Sequence, residues 1–172
     1  MNQYTDGASS EDSGTIKIIG IGQSLRGDDA AGLEAVRLWQ ERHQANIERQ
    51  NLQVELTELP VIGLLNLLEG TRTVILVDAV HSNAKAGTIH LLSEDQLESF
   101  SNGSGSAHGW GVAETLSLGR KLMPSTMPEV LLLIGIEAGD LSLGESLSPD
   151  VEKALPEVVH LIEQLVTRSF FL

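Results

Sequence analysis

Two nearly continuous apolar runs constrain the fold of this chain more than any other feature. They are "TRTVILVDAV" at 71–80 and "EVLLLIGIEAG" at 129–139. Each has the length of a strand and lacks a polar face, which is typical of a strand covered by other structure on both sides. A sheet that is covered on both faces needs a layer of helices on each. The two runs therefore predict a mostly parallel sheet in the middle of the molecule.

The rest of the chain alternates between strand and helix patterns. Three further strands are predicted in "TIKIIGIG", "LQVELTELP" and "AGTIHLLS", the last pairing antiparallel at an edge. Helices follow the first strand, precede the third, and open at Ser148 with Pro149 in the first turn. We predict an α/β fold, a three-layer α/β/α sandwich with a mostly parallel five-stranded twisted sheet. At 172 residues it forms a single domain over 15–172, preceded by a mobile polar tail at 1–14.

The turn after the first strand, "GIGQSLRGDDAAG", is rich in glycine but does not fit a phosphate site. Leu25 stands where a dinucleotide fingerprint needs its third glycine, and no Gly-Lys-Ser/Thr follows as a P-loop requires. Asp28 and Asp29 also place negative charge at the helix amino end, where a phosphate needs positive potential. We expect Asp28 to cap the helix, Asp29 to contribute to a cation site, and no tightly bound organic cofactor.

Net charge, cysteine content and the length of apolar runs limit the partners and metal ligands that the protein can have. A formal charge of −13 disfavours nucleic acid and acidic membrane surfaces and attracts cations or basic polypeptide segments. The chain has no cysteine, so a metal would be held by oxygen and imidazole. No apolar run reaches the roughly 20 residues of a membrane span, and the first residues do not resemble a signal peptide. We expect a cytoplasmic protein.

Ligands in open α/β sheets bind beyond the carboxyl ends of the strands, so polar residues at those ends are the candidate site. Asp29 follows the first strand, Asp78 ends the third at the predicted centre of the sheet, and His108 opens a later helix. Two carboxylates and an imidazole suit a divalent metal in an open site. Glu58 and Glu137 end two other strands.

The set of motifs "GIGQSLRGDDAAG", "VILVDAV", "SAHGWGVAETL" and "LLLIGIEAGDLSLGESLSPDVEKALPEVVHLI" resembles the hydrogenase maturation endopeptidases. These proteases trim the large subunit of nickel-iron hydrogenases, and the similarity runs from about Lys17 to the C-terminus. The resemblance implies that Asp29, Asp78 and His108 grip nickel. It implies further that Asp29 and Asp78 are the catalytic carboxylates.

In this family the nickel is already inserted in the precursor of the large subunit. The resemblance therefore implies that the enzyme checks metal loading before it removes a short C-terminal extension, after which the large subunit closes and joins its small subunit. The partner implied for this chain is such a precursor, with the nickel contributed by it.

Two departures from the family pattern stand out. Gln23 replaces the usual asparagine of the first turn. The second strand of many relatives ends in an Asp-Gly-Gly-Thr-like segment, where this chain has "TELPVIG". The second departure favours a hydrogenase of the soluble, bidirectional, NAD-linked type. Two other readings of the residues stay open: a metallopeptidase with its own zinc and Glu58 or Glu137 as base, and a chaperone that binds the precursor without cutting it.

Overall fold

A computed structural model describes residues 15–47, 51–58, 63–103, 111–144 and 146–170. The proposed tail at 1–14 and the candidate ligand His108 lie outside the described residues. The strands are β1 (Ile16–Ile21), β2 (Leu52–Thr57), β3 (Thr73–Val80), β4 (Ile89–Ser93) and β5 (Val130–Glu137). The helices are α1 (Ala31–Ile47), α2 (Leu64–Leu68), α3 (Glu94–Gly103), α4 (Val112–Leu122) and α5 (Pro149–Ser169). A short 3-10 turn, Gly27–Ala30, joins β1 to α1.

The five strands form one sheet in the order β2-β1-β3-β5-β4. All neighbours are parallel except β4, which pairs antiparallel with β5 at the edge. The central position of β3 explains why its sequence is apolar on both faces. The predicted mostly parallel sheet and its antiparallel edge strand are confirmed.

Helices cover both faces of the sheet. On one face, α1 and α5 pack on alternate residues of β1, β3 and β5 to form one apolar cluster. On the other face, α2, α3 and α4 contribute to a second cluster with the intervening strand residues. The side chains of β1 and most of those of β3 and β5 are thus buried by one layer or the other, whereas β2 and β4 at the edges are partly exposed. The three-layer α/β/α prediction is confirmed.

One strand boundary differs from the sequence prediction. The apolar run suggests that the third strand stops at Asp78, but β3 continues to Val80. The cause is pairing, because Asp78 and Val80 lie opposite Gly135 and Glu137 of β5 in an unbroken parallel ladder. Asp78 therefore lies inside the carboxyl end of a central strand.

Two glycines of the first turn allow close backbone approach. A Cβ on Gly32 would collide with the carbonyl oxygens of Ile21 and Val77, so the first turn of α1 rests directly on the ends of β1 and β3. A Cβ on Gly22 would collide with the carbonyl oxygen of Asp29. In this chain, glycine at these two positions brings backbone against backbone.

We predict that Gly32→Ala lowers the free energy of unfolding by about 1–3 kcal/mol, because the added methyl group meets backbone that cannot rotate away. Gly144→Ala is the matched control, since a Cβ there meets nothing within 4 Å, and its effect should stay within about 0.5 kcal/mol. Urea unfolding of both variants measures the difference. Equal stabilities would contradict the packing described for Gly32.

Candidate functional site

Asp29 lies in the 3-10 turn that leads into α1 and is only 2% exposed. Its backbone N–H donates to the carbonyl oxygen of Arg26 at 3.0 Å, and its own carbonyl accepts from the N–H of Gln23 at 3.4 Å. The turn is therefore closed on itself by backbone hydrogen bonds. These bonds fix the backbone of Asp29, whose side chain is buried near the carboxyl end of β1.

Asp78 lies in β3 and is 7% exposed. It lies four residues after Val74 and two after Leu76, and residues at even spacing along a strand share one face of the sheet. Asp78 is therefore on the face that α2, α3 and α4 cover. The 3-10 turn that carries Asp29 contacts β3. The structure thus places the two predicted carboxylates on contacting elements at the same edge of the sheet.

A buried carboxylate attracts a cation more strongly than an exposed one, because little water competes for its oxygens. Two such groups at one edge of the sheet suit a divalent metal better than an anion. No group of three or more His, Cys, Asp or Glu side chains spaced to hold a metal occurs within the described ranges. The third predicted ligand, His108, falls in the gap before α4.

Asp28 does something other than the helix capping expected from sequence. The N-cap residue of the 3-10 turn is Arg26 and not Asp28. Instead, Oδ2 accepts from the N–H groups of Gly139 and Asp140 at 2.7 and 2.8 Å and from Oγ of Ser148 at 2.8 Å. Oδ1 accepts from the N–H of Ser148 at 2.6 Å. The capping prediction was wrong because two segments distant in sequence, 139–140 and the start of α5, supply the donors to this carboxylate.

The hydrogen bonds keep Asp28 charged although it is completely buried. Burial by itself raises the pKa of the carboxyl, but the hydrogen bonds from Ser148, Asp140 and Gly139 outweigh that effect, and the pKa lies below its ordinary value of 3.8. A lowered pKa means that the carboxylate stabilises the fold at neutral pH. That contribution is lost as the pH falls through the lowered pKa.

We predict that Asp28→Asn lowers the free energy of unfolding at pH 7 by about 1.5–3 kcal/mol, because an amide turns N–H groups toward N–H groups. Asp140→Asn is the matched control, since that carboxylate is exposed and accepts from Ser142 within its own loop. Its effect should stay below about 1 kcal/mol. Chemical unfolding measures both, and a loss no larger in Asp28→Asn than in the control would contradict the role given to Asp28.

Glu137, one of the two candidate bases, is also completely buried. Its oxygens accept from the N–H and Oγ of Ser82, both at 2.7 Å, and lie 3.2 Å from Nε2 of His90. His90 packs against the ring of Phe100. Glu137 is therefore engaged in a structural network that joins β5, β4 and the segment after β3. The sequence gives little sign of this network, since its members are far apart along the chain.

Glu58, the other candidate base, follows β2 and is exposed. It accepts a hydrogen bond from Oγ of Ser24 at 2.9 Å. That contact ties the end of β2 to the turn after β1. Glu58 therefore lies at the carboxyl edge of the sheet with a solvated carboxylate.

A cavity of about 560 Å³ lies between α3 and α4, apart from the two aspartates. Its wall includes the Arg120 guanidinium, which donates to both oxygens of Glu94 at 2.7 and 2.6 Å. Neither Asp29 nor Asp78 lines it. The lining residues are Glu94, Asp95, Leu97, Ala113, Leu116, Ser117 and Arg120.

Within the part of the chain that the structure describes, every helix is too short or too polar to cross a bilayer.

The structure is that of a three-layer α/β protein with two buried carboxylates at the carboxyl edge of its sheet. Comparison with known families then identifies it further. The family model for HycI, a hydrogenase maturation protease, matches residues 47–165 of the 172. The chain belongs to the hydrogenase maturation protease family and is an endopeptidase, which confirms the resemblance found in its motifs.

Individual relatives agree in length as well as in sequence. A putative hydrogenase maturation protease of Methanocaldococcus jannaschii is 28% identical over 156 residues, covering 86% of this chain and 93% of the relative. The solved structure of the NiFe hydrogenase maturation protease HybD from Thermococcus kodakarensis is 25% identical, with a TM-score of 0.68 over 88% of this chain and 98% of that one. The endopeptidase HybD of Escherichia coli, 22% identical, shares the fold with a TM-score of 0.71 over 90% and 93%.

Proposed function

We propose that this protein removes a C-terminal extension from the precursor of a NiFe hydrogenase large subunit, and that it does so by gripping nickel already inserted in that precursor. Asp29, Asp78 and His108 are the proposed ligands. The observation that supports this most is the placement of two buried carboxylates on contacting elements at one edge of the sheet, in a chain of the hydrogenase maturation protease family.

The acidic turn supports a borrowed cation as the recognised group. Asp28 and Asp29 are both buried in the 3-10 turn before α1, which makes this helix start a poor anion site. A nickel ion in the precursor is a cation that carboxylate oxygens can bind. Recognition then depends on metal loading, because a nickel-free precursor offers no cation to Asp29 and Asp78.

The proposed cleavage is metal-assisted hydrolysis. Water adds to the scissile carbonyl carbon, the bond to nitrogen breaks, and the water proton passes to the leaving amine. Nickel held against the two aspartates orients the peptide segment next to it. A carboxylate oxygen of Asp29 or Asp78 accepts the proton from water and returns it to the amine.

The proposed hydrogenase is of the soluble, bidirectional type, and the proposed site of action is the cytoplasm. The basis for the first is the "TELPVIG" segment after β2, part of which lies outside the described residues. Processing of a soluble-type precursor, compared with a membrane-bound type under the same conditions, tests this choice. Preference for the membrane-bound type would contradict it.

We predict that the purified protein cleaves the nickel-loaded precursor and leaves the nickel-free precursor intact, since only the loaded form supplies the cation. Gel or mass-spectrometric analysis of the two precursors, incubated in parallel, measures this. Equal cleavage of both forms would refute nickel recognition while leaving the peptidase activity in place.

We also predict that Asp29→Asn and Asp78→Asn each reduce cleavage of the loaded precursor by more than the roughly 10–100-fold typical of residues that only support a ligand. Glu58→Gln is the control, because it removes an exposed carboxylate at the same edge of the sheet. It should retain a near-normal kcat. Loss of activity in Glu58→Gln, with stoichiometric zinc in the purified protein, would instead favour a metallopeptidase that uses Glu58 as its base.

A further inference from the structure

Two of the most exposed large apolar side chains lie beside the 3-10 turn. Leu143 is 88% exposed and Leu25 is 59% exposed, although both belong to tightly bonded segments. Isolated surface leucines need no explanation, but a pair held in fixed positions beside a candidate active site does. We name this pair the leucine patch.

Backbone hydrogen bonds hold the two segments of the leucine patch together. Arg26 and Gly144 form a parallel β-bridge, with the N–H of Gly144 donating to the carbonyl of Leu25 at 3.0 Å. The N–H of Gly27 donates to the carbonyl of Gly144 at 2.9 Å. Leu25 directly precedes Arg26, and Leu143 directly precedes Gly144. Because the bridge is parallel, the two leucines lie next to each other across it. The patch is preformed and pays little conformational entropy on binding.

The leucine patch is continuous with the turn that carries Asp29. The N–H of Asp28 donates to the carbonyl of Asp140 at 2.8 Å, and the N–H of Asp29 donates to the carbonyl of Arg26. The side chain of Asp28 locks the same two segments together. A polypeptide that reaches Asp29 therefore passes close to Leu25 and Leu143.

The charges around the leucine patch select the kind of segment that fits. Glu58 accepts a hydrogen bond from Ser24, next to Leu25, and the carboxylate of Asp140 is exposed three residues before Leu143. Arg26, beside Leu25, is a half-buried cation, so the exposed charges at the patch are these two carboxylates. The whole chain carries a formal charge of −13. Apolar contact at the centre and carboxylates at the rim favour an apolar segment with basic neighbours.

We propose that the leucine patch docks an apolar segment of the precursor flanked by basic side chains, and thereby directs the precursor to Asp29 and Asp78. This inference rests on the proposed function. It assigns substrate recognition to residues that take no part in the chemistry. The expected signature is a change in KM with kcat preserved, because the patch holds the bound precursor without contacting the reacting atoms.

The experiment compares Leu25→Ser/Leu143→Ser with Leu122→Ser in cleavage of the nickel-loaded precursor. Leu122 is 69% exposed at the end of α4, which precedes β5 and so lies toward the opposite edge of the sheet. We expect the double variant to raise KM about tenfold or more, with kcat unchanged. Leu122→Ser should behave as the wild-type protein, and thermal unfolding should be the same for all three.

The possible results separate the two proposals. A wild-type protein that leaves the loaded precursor intact would refute the proposed function, and with it the patch as a precursor site. A wild-type protein that cleaves it, with an unchanged KM in the double variant, would overturn the leucine patch alone. If light scattering shows that the wild-type protein is a dimer and the double variant a monomer, the leucine patch is a self-association surface and the precursor-docking proposal is overturned. A wild-type KM independent of salt would overturn the basic flank.

Discussion

One buried carboxylate joins the two halves of the candidate site. The oxygens of Asp28 accept hydrogen bonds from Gly139, Asp140 and Ser148, which lie beyond β5 and at the start of α5. A charge in this position would be costly without those donors, and the donors would be unsatisfied without the charge. The turn after β1 and the loop after β5 therefore keep their positions together. Asp29 and the leucine patch both depend on that arrangement.

The same turn shows how a glycine-rich strand-to-helix junction can carry negative charge at the start of a helix. In a phosphate site, the first N–H groups of the helix point at an anion. Here Gly22 and Gly32 bring backbone against backbone, and two buried aspartates occupy the start of the helix. The glycines keep their steric role while the charge of the site is reversed. This is why the junction in "GIGQSLRGDDAAG" is a poor phosphate site.

The features predicted correctly from the sequence are those that depend on residues close together along the chain. The apolar runs of β3 and β5 predicted a covered sheet, and the brief loop before β4 predicted its antiparallel edge position. Asp28 was misjudged because its donors lie more than a hundred residues away, where no local pattern reveals them. The extension of β3 past Asp78 likewise depends on pairing with Glu137. Asp29 and Asp78 were found because strand ends of a parallel sheet share one edge, and their roles as ligands stay predictions, as does that of His108.

The tie between Asp28 and Ser148 has a consequence for biosynthesis. Ser148 directly precedes α5, whereas Asp28 belongs to the junction between β1 and α1. A nascent chain on the ribosome can form β1 and α1 early, yet the carboxylate between them lacks its donors until residues 139–148 have emerged. The turn that carries Asp29 is therefore completed only after translation has passed Ser148.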